Sequence, residues 1–140
     1  IFFELFDFMK IRKLKINDCG QVVELLIKSF SNKYDNKINT YNLSDPNSFT
    51  LVSVDNNKIT GVASLYIINK LTRNLGLIED VAVHEDYRGK GIGKRLVEEL
   101  VEVAVEKKCD KTVLNTSEQN VEFYNKIGFQ KNEIQMIIRN

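Results

Sequence analysis

The sequence holds few of the residues that build metal sites, disulfide frameworks or histidine-based catalysis. Among 140 residues there are two cysteines, Cys19 and Cys109, and one histidine, His84. Two cysteines make neither a disulfide scaffold nor a four-ligand zinc site, and one histidine excludes any mechanism needing two, so no metal is expected. No apolar stretch reaches the ~18–20 residues of a spanning helix, and no membrane partner is expected. Twenty basic residues against nineteen acidic leave a net charge of +1. A phosphate-binding surface needs clustered excess Lys and Arg, so nucleic acid is not the expected partner either. One proline and seven glycines predict long elements with short connections. The chain reads as reduced, intracellular and cytoplasmic.

What is present is ordinary for a globular chain: 43% hydrophobic and 28% charged residues. The length suits one compact domain. Residues 1–8 are aromatic and apolar, yet they carry Glu4 and Asp7 and lack a basic segment or a small-residue cleavage site. They read as an upstream extension or a remnant of expression, with a short docked element as the other reading. Residues 9–140 read as a single domain.

Periodicity sets out the elements. Lys13 and Lys15 alternate with Leu14 and Ile16, predicting a strand over 10–16. Asn17 or Asp18 can cap a helix carrying Val22, Val23, Leu26, Ile27 and Phe30 at helical spacing. Residues 31–48 are polar and aperiodic, either a substrate-facing loop or lid or a plain surface loop. Two β-branched runs, 49–54 and 58–68, flank Asp55-Asn56-Asn57 and predict a hairpin. A strand over 75–83, a helix over 92–108, a strand over 111–115, a helix over 117–127 and a last strand over 129–138 follow. The order predicts an α/β chain of the α+β type, one mixed and mainly antiparallel sheet with helices on both faces.

The most informative segment is Tyr87-Arg88-Gly89-Lys90-Gly91-Ile92-Gly93-Lys94. It leaves a strand and opens an amphipathic helix, where backbone N–H groups and the helix dipole converge on an anion. Arg88, Lys90 and Lys94 add positive charge. The P-loop pattern is absent, because Lys94 is followed by Arg95. The dinucleotide pattern fails because Leu96 stands where its last glycine belongs.

The run Arg88-Gly89-Lys90-Gly91-Ile92-Gly93 instead resembles the acyl-coenzyme A signature of the GCN5-related N-acetyltransferase (GNAT) family. The resemblance extends from Met9 to the end and implies acetyl-CoA as co-substrate. It places the pyrophosphate on Arg88, Gly89, Lys90, Gly91, Ile92, Gly93 and Lys94, and the pantetheine arm along Val81, Ala82 and Val83. The segment Asn120-Val121-Glu122-Phe123-Tyr124-Asn125-Lys126-Ile127-Gly128-Phe129 resembles the family's second motif. That implies cofactor contacts from Asn120 and Tyr124, with Tyr124 as the acid that protonates the departing thiolate. Helical spacing alone puts Phe123 and Ile127 on the core side, and Gly128 suits a left-handed cap.

Glu79-Asp80 stands in the strand before the glycine turn. Alternation sends adjacent carboxylates to opposite faces unless a bulge intervenes. The segments IEDVAVHEDYRGKGIGKRL, GVASLYIINK, NVEFYNKIGF and EIQMIIRN together resemble the glucosamine-6-phosphate N-acetyltransferase branch. That resemblance implies an amino sugar phosphate acceptor and a homodimer whose terminal strands complete each other's sites. Glu79 and Asp80 then stand by the acceptor amine and acetyl group, with Glu79 taking the proton directly or through water. Arg139 reaches the sugar phosphate from the partner subunit, its planar fork suiting that group. Asn115 stands where better-known members carry an aspartate, so it positions substrate and takes no proton. A covalent acetyl-cysteine route is disfavoured, because no histidine neighbours Cys19. Two other readings stay open: acetylation of another amine (a protein N-terminus, polyamine or aminoglycoside), or a non-catalytic acyl-CoA-binding module.

Overall fold

The computed structural model describes residues 9–30 and 37–140. The expected extension at 1–8 and the first part of the polar loop lie outside the described residues. The chain runs β1 (Lys10–Lys13), α1 (Cys19–Ser29), β2 (Ser48–Asp55), β3 (Lys58–Asn69), β4 (Asn74–Val83), α2 (Ile92–Glu106), β5 (Cys109–Val113) and α3 (Val121–Ile127). Short 3-10 turns occupy Ile16–Asp18, Thr40–Leu43, Glu85–Tyr87 and Glu118–Asn120. The sheet order is β1-β2-β3-β4-β5, antiparallel throughout except for the parallel β4–β5 pair. The mixed, mainly antiparallel sheet is as the pattern predicts. No helix among the described residues is long and apolar enough to cross a membrane.

Strand alternation builds two cores from one sheet. Val62 joins Val52, Ile59 and Ala82 on one face, where Val22 and Leu25 of α1 cover them. Its neighbour Ala63 joins Leu65, Ile67 and Ile78 on the other face, under Ile92, Leu96, Val97, Leu100 and Ala104 of α2. The α2 residues recur every three to four positions and form one buried stripe. Each fully buried leucine contributes about 1.5–3 kcal/mol by leaving water.

Asp55 pairs with Lys58, so the turn tightens from the expected three residues to Asn56-Asn57. Both take positive φ, 45° and 66°, as a two-residue hairpin turn requires and asparagine tolerates. The first strand ends at Lys13, because Asp18 serves the preceding turn instead of capping α1. Its carboxylate accepts the Lys15 N–H at 2.7 Å and pairs with the Arg12 guanidinium at 2.7 and 3.0 Å. That pairing holds Asp18 below the usual carboxylate range.

Two further expectations are corrected. Residues 129–140 form no strand, because strand hydrogen bonds need a partner and this segment has none among the described residues. On α3 it is Tyr124 and Ile127 that pack on the core, whereas Phe123 is 39% exposed.

Candidate active site

The site is organised by an irregularity in β4. Ser64 pairs with Glu79 and Val62 with Ala82, so β4 carries one residue more than β3 in that interval. Asp80 adopts φ 56° there, a β-bulge of the kind that redirects side chains. Asp80 lines a cavity of about 500 Å³ beneath α1, whose Val23, Leu26 and Ile27 form an apolar wall. Burial raises its carboxyl above the ordinary range, which makes it a stronger base. Glu79 is exposed and does not line the cavity. Partial desolvation and then the Asp80 charge raise it as well.

Sequence reasoning missed the sheet side of this cavity, while the loop side comes from the 31–48 segment it read as either substrate-facing or plain surface. Thr50, Ser64 and Tyr66 supply hydroxyls from the sheet, and Asn39, Asn42, Ser44 and Asp45 supply polar groups from the loop. The Ser48 hydroxyl ties that loop down, at 3.2 Å from Asn42 Oδ1 and 3.3 Å from Asp45 Oδ2. The available signal was Ser64 and Tyr66 two apart in an otherwise apolar strand, which alternation places on one face.

At the far end of β4 the glycine turn has the form of an anion cradle. Gly89 and Gly91 take φ 79° and 83°, and a Cβ on either would meet open space. Their requirement is therefore conformational, and the space above them is free for a ligand. Gly93 is needed for packing, since a Cβ there would lie 3.3 Å from Phe123 Cζ and 3.4 Å from Val83 Cγ2. The first helical bond of α2 runs from Arg95 N–H to the Gly91 carbonyl at 3.1 Å. The N–H groups of Ile92, Gly93 and Lys94 precede it and have no partner within the helix. The turn is fastened to the β2–β3 hairpin by Tyr87, whose hydroxyl donates to Asp55 at 2.8 Å. Lys90 and Lys58 stand 5.1 and 5.5 Å from the centre of its ring. The loop geometry and charge fit a pyrophosphate.

Strands β4 and β5 pair only from Asn74 to Leu77 on β4, so among the described residues no strand borders β4 beyond that point on the β5 side. The His84 N–H bonds to Thr60 on β3, so alternation turns Val83 and Val81 toward the open edge and Ala82 toward β3. Arg88 Nε takes the Val83 carbonyl at 3.1 Å, leaving Val81 as the free edge group nearest the bulge. Tyr124 and Asn115 line a second groove of about 1170 Å³ bounded by β5, α3 and the tail. Tyr124 packs edge-on against Phe123 and Phe129, and burial raises its phenol, which stays protonated at neutral pH. Asn120 precedes α3, and its side-chain amide donates to Ser117 Oγ at 3.3 Å. Arg139 lies in the exposed tail and lines neither space, so one protomer does not bring it to Asp80. Burial raises both thiols, and at Cys19 the Asp18 charge adds to it, so neither is an activated nucleophile.

A bulged strand, a glycine turn opening a helix, and a parallel strand pair that separates define an α/β protein with an anion cradle at one end of an open sheet edge. The family model described as Acetyltransferase (GNAT) family matches residues 19–129, and the chain belongs to that family. A glucosamine 6-phosphate N-acetyltransferase of Trypanosoma brucei brucei is 46% identical over 82 residues, 56% of this chain and 56% of that protein. The chain thus spans little more than half the length of this curated relative. The enzyme of that name from Arabidopsis thaliana is 33% identical over 142 residues, covering 91% of this chain and 93% of its own. A crystal structure of glucosamine-6-phosphate N-acetyltransferase from Arabidopsis thaliana superimposes with a TM-score of 0.83 at 30% identity, over 94% of this chain and 97% of that one.

Proposed function

We propose that residues 9–140 form an acetyl-CoA-dependent N-acetyltransferase domain whose acceptor is glucosamine 6-phosphate. One observation carries the reading: the β4 bulge sets a carboxyl with raised pKa in the cavity beneath α1, on the same strand that ends in the anion cradle. The names of the relatives supply the acceptor.

Acetyl-CoA supplies the acetyl group and leaves as coenzyme A. Its pyrophosphate is held by the N–H groups of Gly89, Gly91, Ile92, Gly93 and Lys94, with charge from Arg88 and Lys90. Its pantetheine arm adds to the open edge of β4 as an extended strand does, through Val81. The neutral amine of the sugar forms the new C–N bond while the C–S bond breaks. The geometry favours Asp80 for the proton-accepting role the sequence gave to Glu79, because Asp80 lines the cavity. Tyr124 gives its proton to the leaving sulfur, and Asn115 orients the reactants from the groove side. Holding the two reactants in line supplies up to about 7–11 kcal/mol of the barrier reduction.

The acceptor phosphate is bound by Arg139 of the partner subunit in a homodimer. The support is the tail itself: Ile134, Met136 and Ile138 are 88–90% exposed and alternate as in a strand.

The test is thiol release from acetyl-CoA with glucosamine 6-phosphate and with glucosamine, side by side. The expected result is turnover with the phosphate sugar and kcat/KM at least tenfold lower without the phosphate, roughly the worth of one charge-assisted contact. Coenzyme A binding with no turnover of either sugar overturns the acceptor and points to another amine or to a binding module.

A further inference from the structure

The floor of the acceptor cavity carries a row of hydroxyls that the proposed chemistry does not use. Thr50 on β2 and Ser64 on β3 face each other across the strand pair, with their oxygens 2.8 Å apart. Tyr66 stands two residues along β3 from Ser64, so alternation puts it on the same face, and both line the cavity. Each hydroxyl has one proton to give. Thr50 and Ser64 spend one of theirs on each other, and among the described residues no hydrogen bond takes the Tyr66 proton.

Tyr66 lines the cavity with Asp80, and the Asp80 charge acts on it. Burial first, and that charge second, keep the phenol protonated and therefore a donor. A purely packing role would need only a phenylalanine at this position. Here the hydroxyl stands on the polar floor of a cavity whose opposite wall is apolar, next to the carboxylate that faces the amine.

We propose that Tyr66 is a specificity-determining residue that donates a hydrogen bond to a hydroxyl of the acceptor adjacent to its amine, at C1 or C3 of the sugar. The inference rests on the proposed acceptor and extends it. Through this contact the site selects a vicinal amino alcohol over a plain amine, because an acceptor without the hydroxyl leaves a buried donor unpaired.

The experiment compares the unaltered protein with Tyr66→Phe on glucosamine 6-phosphate and on its 1-deoxy and 3-deoxy analogues. The expected result is a KM for glucosamine 6-phosphate raised about tenfold in Tyr66→Phe, the effect of one neutral hydrogen bond. The KM for acetyl-CoA and the kcat stay within about twofold, which also shows that the variant is folded. One deoxy analogue shows the same rise with the unaltered protein and no further rise with Tyr66→Phe. An unchanged KM in Tyr66→Phe, or independent losses with both analogues, overturns the role of Tyr66 alone. No turnover of glucosamine 6-phosphate by the unaltered protein overturns the acceptor reading, and this inference with it.

Discussion

Asp80 is held in a state that folding alone would not select. Its φ of 56° is a conformation that few residues other than glycine, asparagine and aspartate adopt readily. Burial also raises its carboxyl, so the charged form is disfavoured in the folded chain relative to the unfolded one. The sign follows from linkage. A carboxyl raised on folding binds protons more tightly in the native state, so it lowers stability as pH rises from its unfolded pKa through its folded one. Asp80→Asn removes the charge and keeps a side chain that suits positive φ. It is expected to raise Tm by a few degrees at pH 8 and to leave Tm unchanged near pH 3. Turnover is expected to fall about 10²–10⁴-fold, as for loss of a general base. Thermal melts at the two pH values and the thiol assay check both halves. A destabilised Asn variant at pH 8 sinks the account of a desolvated carboxylate.

At the scale of elements, legibility followed how local the physics is. The hairpin was legible because two asparagines select their turn without help from the rest of the chain. The glycine turn was legible because positive φ at Gly89 and Gly91 and close packing at Gly93 are local demands. The bulge was legible only as a condition, since two adjacent acids do not reveal which strand position holds the extra residue. Tyr66 was hidden because a tyrosine in a β-branched run reads as core. At the roof, Val22, Val23, Leu26, Ile27 and Phe30 keep the expected helical spacing and line the cavity, while Leu25, which that spacing did not single out, is buried beside Val22. Gly61 joins these elements. A Cβ there would stand 2.8 Å from Ser53 Oγ, 2.9 Å from Ile92 Cγ2 and 3.1 Å from Leu96 Cδ1. Ser53 is locked by a 2.6 Å bond to Thr60, so the start of α2 must give way. Gly61→Ala is expected to cost about 1–3 kcal/mol and to raise the KM for acetyl-CoA more than that for the sugar. Denaturant titration and steady-state kinetics check this, and an unchanged acetyl-CoA KM would show that α2 is not displaced.

At the scale of the whole molecule, the chain is unfinished by its own physics. Among the described residues no strand pairs with the outer edge of β5, and the tail exposes Ile134, Met136, Ile137 and Ile138. Both are liabilities in an isolated chain, and the proposed homodimer would relieve both. The same arrangement accounts for the distance between Arg139 and the cavity it is proposed to serve. Residues on the two sides of such a site belong to different chains, and variants can separate them. Asp80→Asn and Arg139→Ala are each expected to be deficient when made alone. Co-expressed, they form mixed dimers in which one site carries both lesions and the other carries none. With random pairing, activity is expected to return to about a quarter of the unaltered level, since half the dimers are mixed and each has one intact site of two. If Arg139 served the site of its own chain, each site of a mixed dimer would still carry one lesion. Co-expression would then restore nothing beyond the average of the two variants. Thiol release from the purified mixture, with mass confirmed by sedimentation, separates the two outcomes, and absence of restoration overturns the shared site.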